Sequence, residues 1–420
     1  GNPARLNRAS FNAHILRFSR CEGQMRIHSK IPFWLFGACI LISTALAQTT
    51  PDIDFDGNDV IDFGDFVLLA QAFGTGDTQF DLNGDGAVDL QDFLIFARLY
   101  DRAQVTVMHS HVDEGVAVGS VDVFSVPTLG SQPRDIVVDV LGRVWFAETG
   151  ANQIGRFDPS TETFVEYPLP IPGGQPARLA VDGRGVVWFT DIVANAIGRL
   201  DPISEEVRMY TVPTPGSRPS GLVFDRKGYL WFTQESGNQI GRLDPDRGTF
   251  EEYPVFTSSA GLDEILIDSE GILVFSERAV GKFGRMNPET KEIVEIEIPI
   301  QDLTIKQFVL DDGDQIWFAA SSYQLHMWDL LATGNFASYI LPEDGPDPSS
   351  LSVDLNGRIW YAADQSRYFA RFDPEASSVR ILELPFAVSG VGRLTVDRLG
   401  KIWFTDPSGN RIGSVEDIGP

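Results

Sequence analysis

The sequence predicts an all-β fold: a seven-bladed β-propeller of four-stranded blades, closed by an N-terminal strand and preceded by a small α-helical calcium-loop domain. Three observations predict the propeller. Trp145, Trp188, Trp231, Val274, Trp317, Trp360 and Trp403 stand 43 residues apart, each followed by an aromatic residue. An Asp stands six residues before each of them. The seventh unit stops one strand short, while residues 121–127 repeat the fourth-strand pattern at the other end of the propeller sequence. A repeat of 40–45 residues made of short apolar runs and turns is one four-stranded blade.

The 420 residues leave room for two or three domains. With 33 basic and 59 acidic residues the formal charge is −26. That excludes nucleic acid as a partner, because binding phosphates requires an excess of Lys and Arg. It also argues against docking on an anionic membrane surface. Two Cys exclude a disulfide scaffold and a Cys-based zinc cluster.

Residues 1–47 read as an upstream extension and a signal peptide, with Met25 the expected start. Arg26 and Lys30 precede an apolar run at 31–42, and Ala45-Leu46-Ala47 forms a small-x-small cleavage site. No membrane span is expected once this segment is removed, and both Cys leave with it. The expected location is secreted or periplasmic.

Residues 52–100 hold two twelve-residue loops of the calcium type. In the second, Asp81, Asn83, Asp85, Asp89 and Asp92 occupy positions 1, 3, 5, 9 and 12, Ala87 offers a carbonyl at position 7, and Gly86 fills position 6. Ca²⁺ takes six to eight oxygens, and this spacing wraps them around one centre. The first loop repeats the pattern 27 residues earlier with Asp54, Asp56, Asn58, Val60, Asp62 and Asp65, and has Asp59 in place of the Gly. An apolar helix-like run follows each loop, and neither has a clear entering helix. Such a tandem resembles a dockerin module, which implies a cohesin-like partner. The usual small hydroxylated pair at positions 10 and 11 is Phe63-Gly64 and Leu90-Gln91 here. Residues 101–120 read as a linker.

The propeller is expected over 121–416. In its first unit, 136–139 is strand a, Asp139-x-x-Gly142 the hairpin turn, 144–148 strand b, 153–158 strand c and 164–169 strand d. The 121–127 segment supplies strand d of the last blade. The fifth blade is degenerate, with Gln-Leu-His-Met-Trp (324–328) in strand c, including His326, the only His of the propeller.

Two rings of residues are expected near the central channel. The first, before strand a, is Arg134, Ala177, Ser220, Asp263, Lys306, Ser349 and Gly392. The second, at the end of strand b, is Glu148, Asp191, Gln234, Glu277, Ala320, Ala363 and Asp406. The recurrent Asn152, Asn195, Asn238 and Asn410 and the recurrent Arg156, Arg199, Arg242, Arg285 and Arg371 read as architecture. Residues that differ between blades are the site candidates, foremost Glu148, Glu277, Asp263 and Lys306.

The segments Val-Trp-Phe-Thr-Asp (187–191), Leu-Trp-Phe-Thr-Gln (230–234) and Asn-Gln-Ile-Gly-Arg-Leu-Asp-Pro (238–245) resemble the virginiamycin B lyase, or streptogramin lyase, family. The resemblance implies a seven-bladed propeller that opens a cyclic depsipeptide by Mg²⁺-assisted elimination, using His on the first ring and Glu at the end of strand b. No first-ring residue is His here, and Asp347-Pro348-Ser349 is the nearest approach to an acid-x-His pattern. Three functions follow as expectations. The leading one is a secreted, calcium-binding scaffold whose top face takes a small-molecule or polymer ligand. The alternatives are a metal-dependent carbon–oxygen lyase with an altered base, with Mg²⁺ in the channel, and a lactone-hydrolase-like propeller.

Overall fold

Each 43-residue unit folds as an antiparallel sheet of four strands because its apolar residues alternate on both faces of strand b. Trp145 and Phe146, on opposite faces, are both fully buried. The computed structural model describes Phe55 and residues 63–416, apart from 104, 110, 113–119, 301–302, 321–322, 330–333, 343–344, 364–367 and 384–390. The expected signal peptide and Asp54, Asp56, Asn58, Val60 and Asp62 of the first loop therefore lie outside the described residues. Among the described residues no helix is long and apolar enough to cross a membrane.

Blade 1 comprises strands Pro133–Val138, Val144–Glu148, Gln153–Asp158 and Thr163–Pro168, in that spatial order. Blades 2 to 6 repeat it from Pro176, Pro219, Leu262, Gln307 and Ser350. Blade 7 takes Leu394–Val396, Ile402–Asp406 and Arg411–Glu416 from the end of the propeller sequence, and Ser120–Ser125 from its start. Ser120 pairs with Glu416 and Ser125 with Arg411, so the ring closes as the repeat register requires.

Hydrophobic clusters lie between adjacent blades. Trp145, Tyr167 and Leu169 of blade 1 pack against Leu179, Phe189 and Leu200 of blade 2. Val126, Trp403 and Ile412 pack against Ile136, Phe146 and Phe157 in the same way, sealing blade 7 onto blade 1.

The recurrent polar residues carry this architecture. Asp139 accepts the amides of Leu141 and Arg143 at the turn and the indole Nε1 of Trp145 at 2.9 Å. The same Asp-to-Trp bond occurs at Asp225, Asp311, Asp354 and Asp397. Where Val274 replaces the Trp, Asp268 holds Arg285 instead, at 3.3 Å. Arg156 and Arg199 lie over the indoles of their own blades. Asn195, at φ 53°, donates to the carbonyl of Thr214 and accepts from Ser217, tying two blades. Gly155 is required because a Cβ there would lie 2.2 Å from the Phe146 ring.

Residues 101–120, read as a linker, carry secondary structure. Val105–His109 adds a parallel fifth strand to blade 5, pairing with Phe336–Ile340, and His111–Val112 adds one to blade 6. The segment thus runs along the outer edges of blades 5 and 6 before completing blade 7. No local pattern announces such pairing, because the partners are more than 200 residues away.

Ahead of it, α1 (Phe63–Ala72) and α2 (Leu90–Ala103) follow the two loops. Leu69, Ala72, Val88 and Phe96 form a shared small core, with Phe55, Phe80 and Phe93 packed on it.

Candidate functional site

Strand a of blades 1 to 4 carries a register shift near its start, for example between Pro133 and Ile136. The shift sends two consecutive side chains of each strand towards the channel. The first-ring residues Arg134, Asp263, Lys306, Ser349 and Gly392 line a cavity of about 620 Å³ at the mouth, together with Arg178, Arg278, Asp347, Ala363 and Arg393. Asp263 and Lys306 are therefore brought together, as the ring register predicts.

Glu148 and Glu277 do not join them. Both are fully buried and neither lines the mouth. Glu148 lies on the Phe146 face of strand b, and its carboxylate sits over Gly155 of strand c, away from strand a and the channel. Asp191 and Asp406 also turn outward: Asp191 accepts the amides of Gln175 and Ala194, and Asp406 accepts that of Gly409 and binds Arg411. Of the strand-b ring, Ala363 lines the mouth.

A ring one residue further along strand a escapes the sequence reading: Asp135, Arg178, Gly221, Glu264, Gln307, Ser350 and Arg393. The same 43-residue spacing, moved by one position and carrying both signs of charge, is the signal that marks it. This ring blocks the channel. Arg393 of blade 7 pairs with Asp135 at 3.4 Å and reaches Glu264 of blade 4. Arg178 pairs with Asp263 at 3.2 Å and with Glu264 at 3.9 Å. Asp135 also accepts the Leu179 amide at 2.7 Å, and Gln307 exchanges hydrogen bonds with Leu351. Gly221 is small of necessity, since a Cβ would lie 2.5 Å from the Asp263 carbonyl oxygen. Burial raises the carboxyl pKa of Asp135 despite the nearby Arg393. Burial also works on Asp263, but Arg178 and the Ser220 hydroxyl outweigh it and hold its pKa below the usual range.

The two carboxylates of the mouth are each bound to a cation: Asp263 to Arg178, and Asp347 to Lys306 at 3.0 Å. Asp347 also accepts the Tyr323 amide. His326 lies away from the mouth, fully buried, with Nδ1 2.8 Å from Ser338 Oγ and its ring stacked on Phe318. Burial lowers its pKa to about 4, so it is neutral at pH 7.

In the second calcium-type loop, Asp81 accepts the amides of Gly84, Asp85 and Gly86. Buried Asp92 accepts those of Leu82, Asn83 and Asp89. Gly86 has φ +94°, the conformation that position 6 requires. Asp65, at position 12 of the first loop, is buried likewise and accepts the Phe55 amide. Among the described residues no three His, Cys, Asp or Glu side chains are gathered as a metal-binding group.

The virginiamycin B lyase family matches residues 107–328. A virginiamycin B lyase from Staphylococcus aureus is 24% identical, covering 71% of this chain and 99% of its own, with a TM-score of 0.65. A structure described as a streptogramin B lyase is 25% identical over 71% of this chain and 97% of its own, with a TM-score of 0.65. A chain of Kuenenia stuttgartiensis hydrazine synthase has the same fold at 15% identity and a TM-score of 0.59, over 70% of this chain and 97% of its own. No curated protein matches.

Proposed function

The chain belongs to the virginiamycin B lyase family, and from that premise we propose that its propeller is a ligand-binding scaffold without the family's ring-opening chemistry. One observation carries the reading. The register positions where the resemblance places the working His and Glu reach the channel mouth as Arg134, Asp263, Lys306, Ser349, Gly392 and Ala363. None of these is a histidine, the side chain suited to act as a base near neutrality, and Asp263, the carboxylate among them, is bound to Arg178 and held below the usual carboxylate range. The Mg²⁺ that the resemblance implies is poorly matched by this donor set. Among the described residues Asp263 and Asp347 are the carboxylates of the lining, and each already neutralises an Arg or Lys. A divalent ion would have to displace those cations.

The N-terminal loops are read as Ca²⁺ sites, held by Asp81, Asn83, Asp85, Ala87, Asp89 and Asp92 in the second and by Asp54, Asp56, Asn58, Val60, Asp62 and Asp65 in the first. The amide bonds of Asp81 and Asp92 and the backbone at Gly86 support the reading in the second loop. Bound Ca²⁺ would supply structural cross-linking of each loop. As in a dockerin, the module would attach the propeller to an extracytoplasmic, cohesin-like partner. Leu90, at recognition position 10, is 64% exposed, so that partner would offer an apolar counterpart.

The test incubates the full chain, saturated with Ca²⁺, with quinupristin in the presence and absence of Mg²⁺, and follows the products by chromatography and mass spectrometry. Quinupristin is the compound found with a catalytically inactive S. aureus virginiamycin B lyase. Intact quinupristin is the expected result. A ring-opened isomer of unchanged mass, formed only with Mg²⁺, overturns the proposal.

A further inference from the structure

We propose that the channel mouth is a binding site for a monoanionic, hydroxyl-bearing organic acid, whose carboxylate is seated on Arg134. The proposal names the ligand class for the scaffold reading above and rests on it.

On a chain of net charge −26, the described residues that line the cavity include five cations: Arg134, Arg178, Arg278, Lys306 and Arg393. The described carboxylates that face them are Asp263 and Asp347 at the mouth and Asp135 and Glu264 just below. Among the described residues one positive charge is left over, and the pairings show where it resides. Arg178, Arg393 and Lys306 are taken up by Asp263, Glu264, Asp135 and Asp347. Arg278 is half exposed and only grazes Asp263, at 3.8 Å. Among the described residues no carboxylate lies within 4 Å of the Arg134 guanidinium, which is exposed at the mouth; desolvation first and the charge of Arg178 second lower its pKa, with Asp263 and Asp135 opposing them.

An unpaired guanidinium held beside other cations favours an anion in the site. Arg also has the right shape for the task. Its planar fork binds a carboxylate through two parallel hydrogen bonds, which a Lys cannot do. Position 134 belongs to a ring with no recurrent residue type, its equivalents being Ala177, Ser220, Asp263, Lys306, Ser349 and Gly392. The surplus of one charge selects a monoanion, because a polyanion would bring uncompensated negative charge against Asp263 and Asp347.

The body of the ligand follows from the rest of the lining. A cavity of about 620 Å³ is much larger than a carboxylate and is in the usual range for small-molecule sites. Gln132 offers its amide, and Thr149 and Ser349, whose hydroxyls donate to backbone carbonyls, offer oxygens that can accept, while Ala363, Gly392 and Pro407 are the apolar contributors. That surface suits a hydroxyl-rich body of about disaccharide size rather than a fatty or aromatic one.

The experiment uses the full chain and two matched probes in titration calorimetry at low salt: β-glucuronyl-(1→4)-glucose and cellobiose, which share a shape and differ in the carboxylate. The acid is expected to bind at least tenfold more tightly. Arg134→Gln should abolish that preference without moving the melting temperature, and Arg184→Gln on the outer surface should leave it intact. Equal affinities for the two sugars, no binding of the acid, or an unchanged preference in Arg134→Gln would overturn the proposal. Failure of the scaffold reading looks different: it would appear as Mg²⁺-dependent opening of quinupristin, whatever the sugars do.

Discussion

Replacing Glu148 by Gln should stabilise the protein in neutral and alkaline solution and leave it unchanged in acid. Neither carboxylate oxygen of this fully buried residue has a hydrogen-bond partner. The nearby Ser131 hydroxyl is committed to Asn410 Oδ1. Glu166 stands beside it and is itself engaged as a carboxylate by the amide and hydroxyl of Thr128. Burial first, and the charge of Glu166 second, raise the pKa of Glu148 from 4.5 to about 8. Blade 3 supplies the internal control: Gln234 occupies the equivalent position and donates to Glu252 at 3.0 Å. A raised folded-state pKa means that the folded chain binds more protons than the unfolded one between pH 4.5 and 8. Stability is therefore lost as pH rises through that window, and the loss is complete above it. At about 1.4 kcal/mol per tenfold change in proton affinity, the full effect is about 5 kcal/mol. Water reaching the ionised carboxylate would reduce this to about 2–5 kcal/mol. The assay is urea unfolding followed by tryptophan fluorescence, for both proteins, from pH 4 to 9. The difference should be near zero at pH 4, grow between pH 5 and 8, and then level off. A difference that is independent of pH, or that grows towards acid, refutes the reasoning.

Glu277→Gln should behave alike over a narrower window, because burial and Glu295 raise the pKa of Glu277 from 4.5 to about 7; the same titration measures it. Gly155→Ala should destabilise the protein by about 1–3 kcal/mol in urea unfolding, since its Cβ would drive into the Phe146 ring. Asp225→Ala should cost about 1–3 kcal/mol by leaving the Trp231 indole and two turn amides without their acceptor, and it should shift the tryptophan emission of the folded state. Ca²⁺ should raise the melting temperature of the N-terminal helices, followed by far-ultraviolet circular dichroism. Asp92→Asn should weaken the response at the second loop.

The blade count and ring closure were legible because they depend on a period. Trp145 and its equivalents repeat every 43 residues, and 121–127 falls in the same register as the strand-d residues of blade 1. The direction in which a residue points was less legible. The reading placed Glu148 and Glu277 at the channel, yet strand alternation puts Glu148 on the Phe146 face, over strand c. Sequence period tells which residues are equivalent, but not which side of the sheet faces the axis. The inner ring of Asp135, Arg178, Glu264 and Arg393 was missed for a related reason. In blades 1, 2 and 4, which supply Asp135, Arg178 and Glu264, the register shift in strand a turns two neighbouring residues inward where a regular strand would present one. The pairing of 105–109 with blade 5 had no local sign at all, because its partner is made more than 200 residues later.

The closure of blade 7 also sets a timetable for biosynthesis. Ser120–Ser125 leaves the ribosome before every other strand of the four-stranded blades, yet its partner Arg411–Glu416 comes last. At about 5–20 residues per second, the intervening chain takes on the order of 15–60 s to make. Throughout that interval this strand lacks its own sheet and Trp403, one of the two rings packed on Phe124. A nascent chain must therefore keep this segment, like Val105–His109 and His111–Val112 before it, from pairing elsewhere until its partner arrives, so the ring depends on protection early in synthesis as much as on contacts in the finished disc.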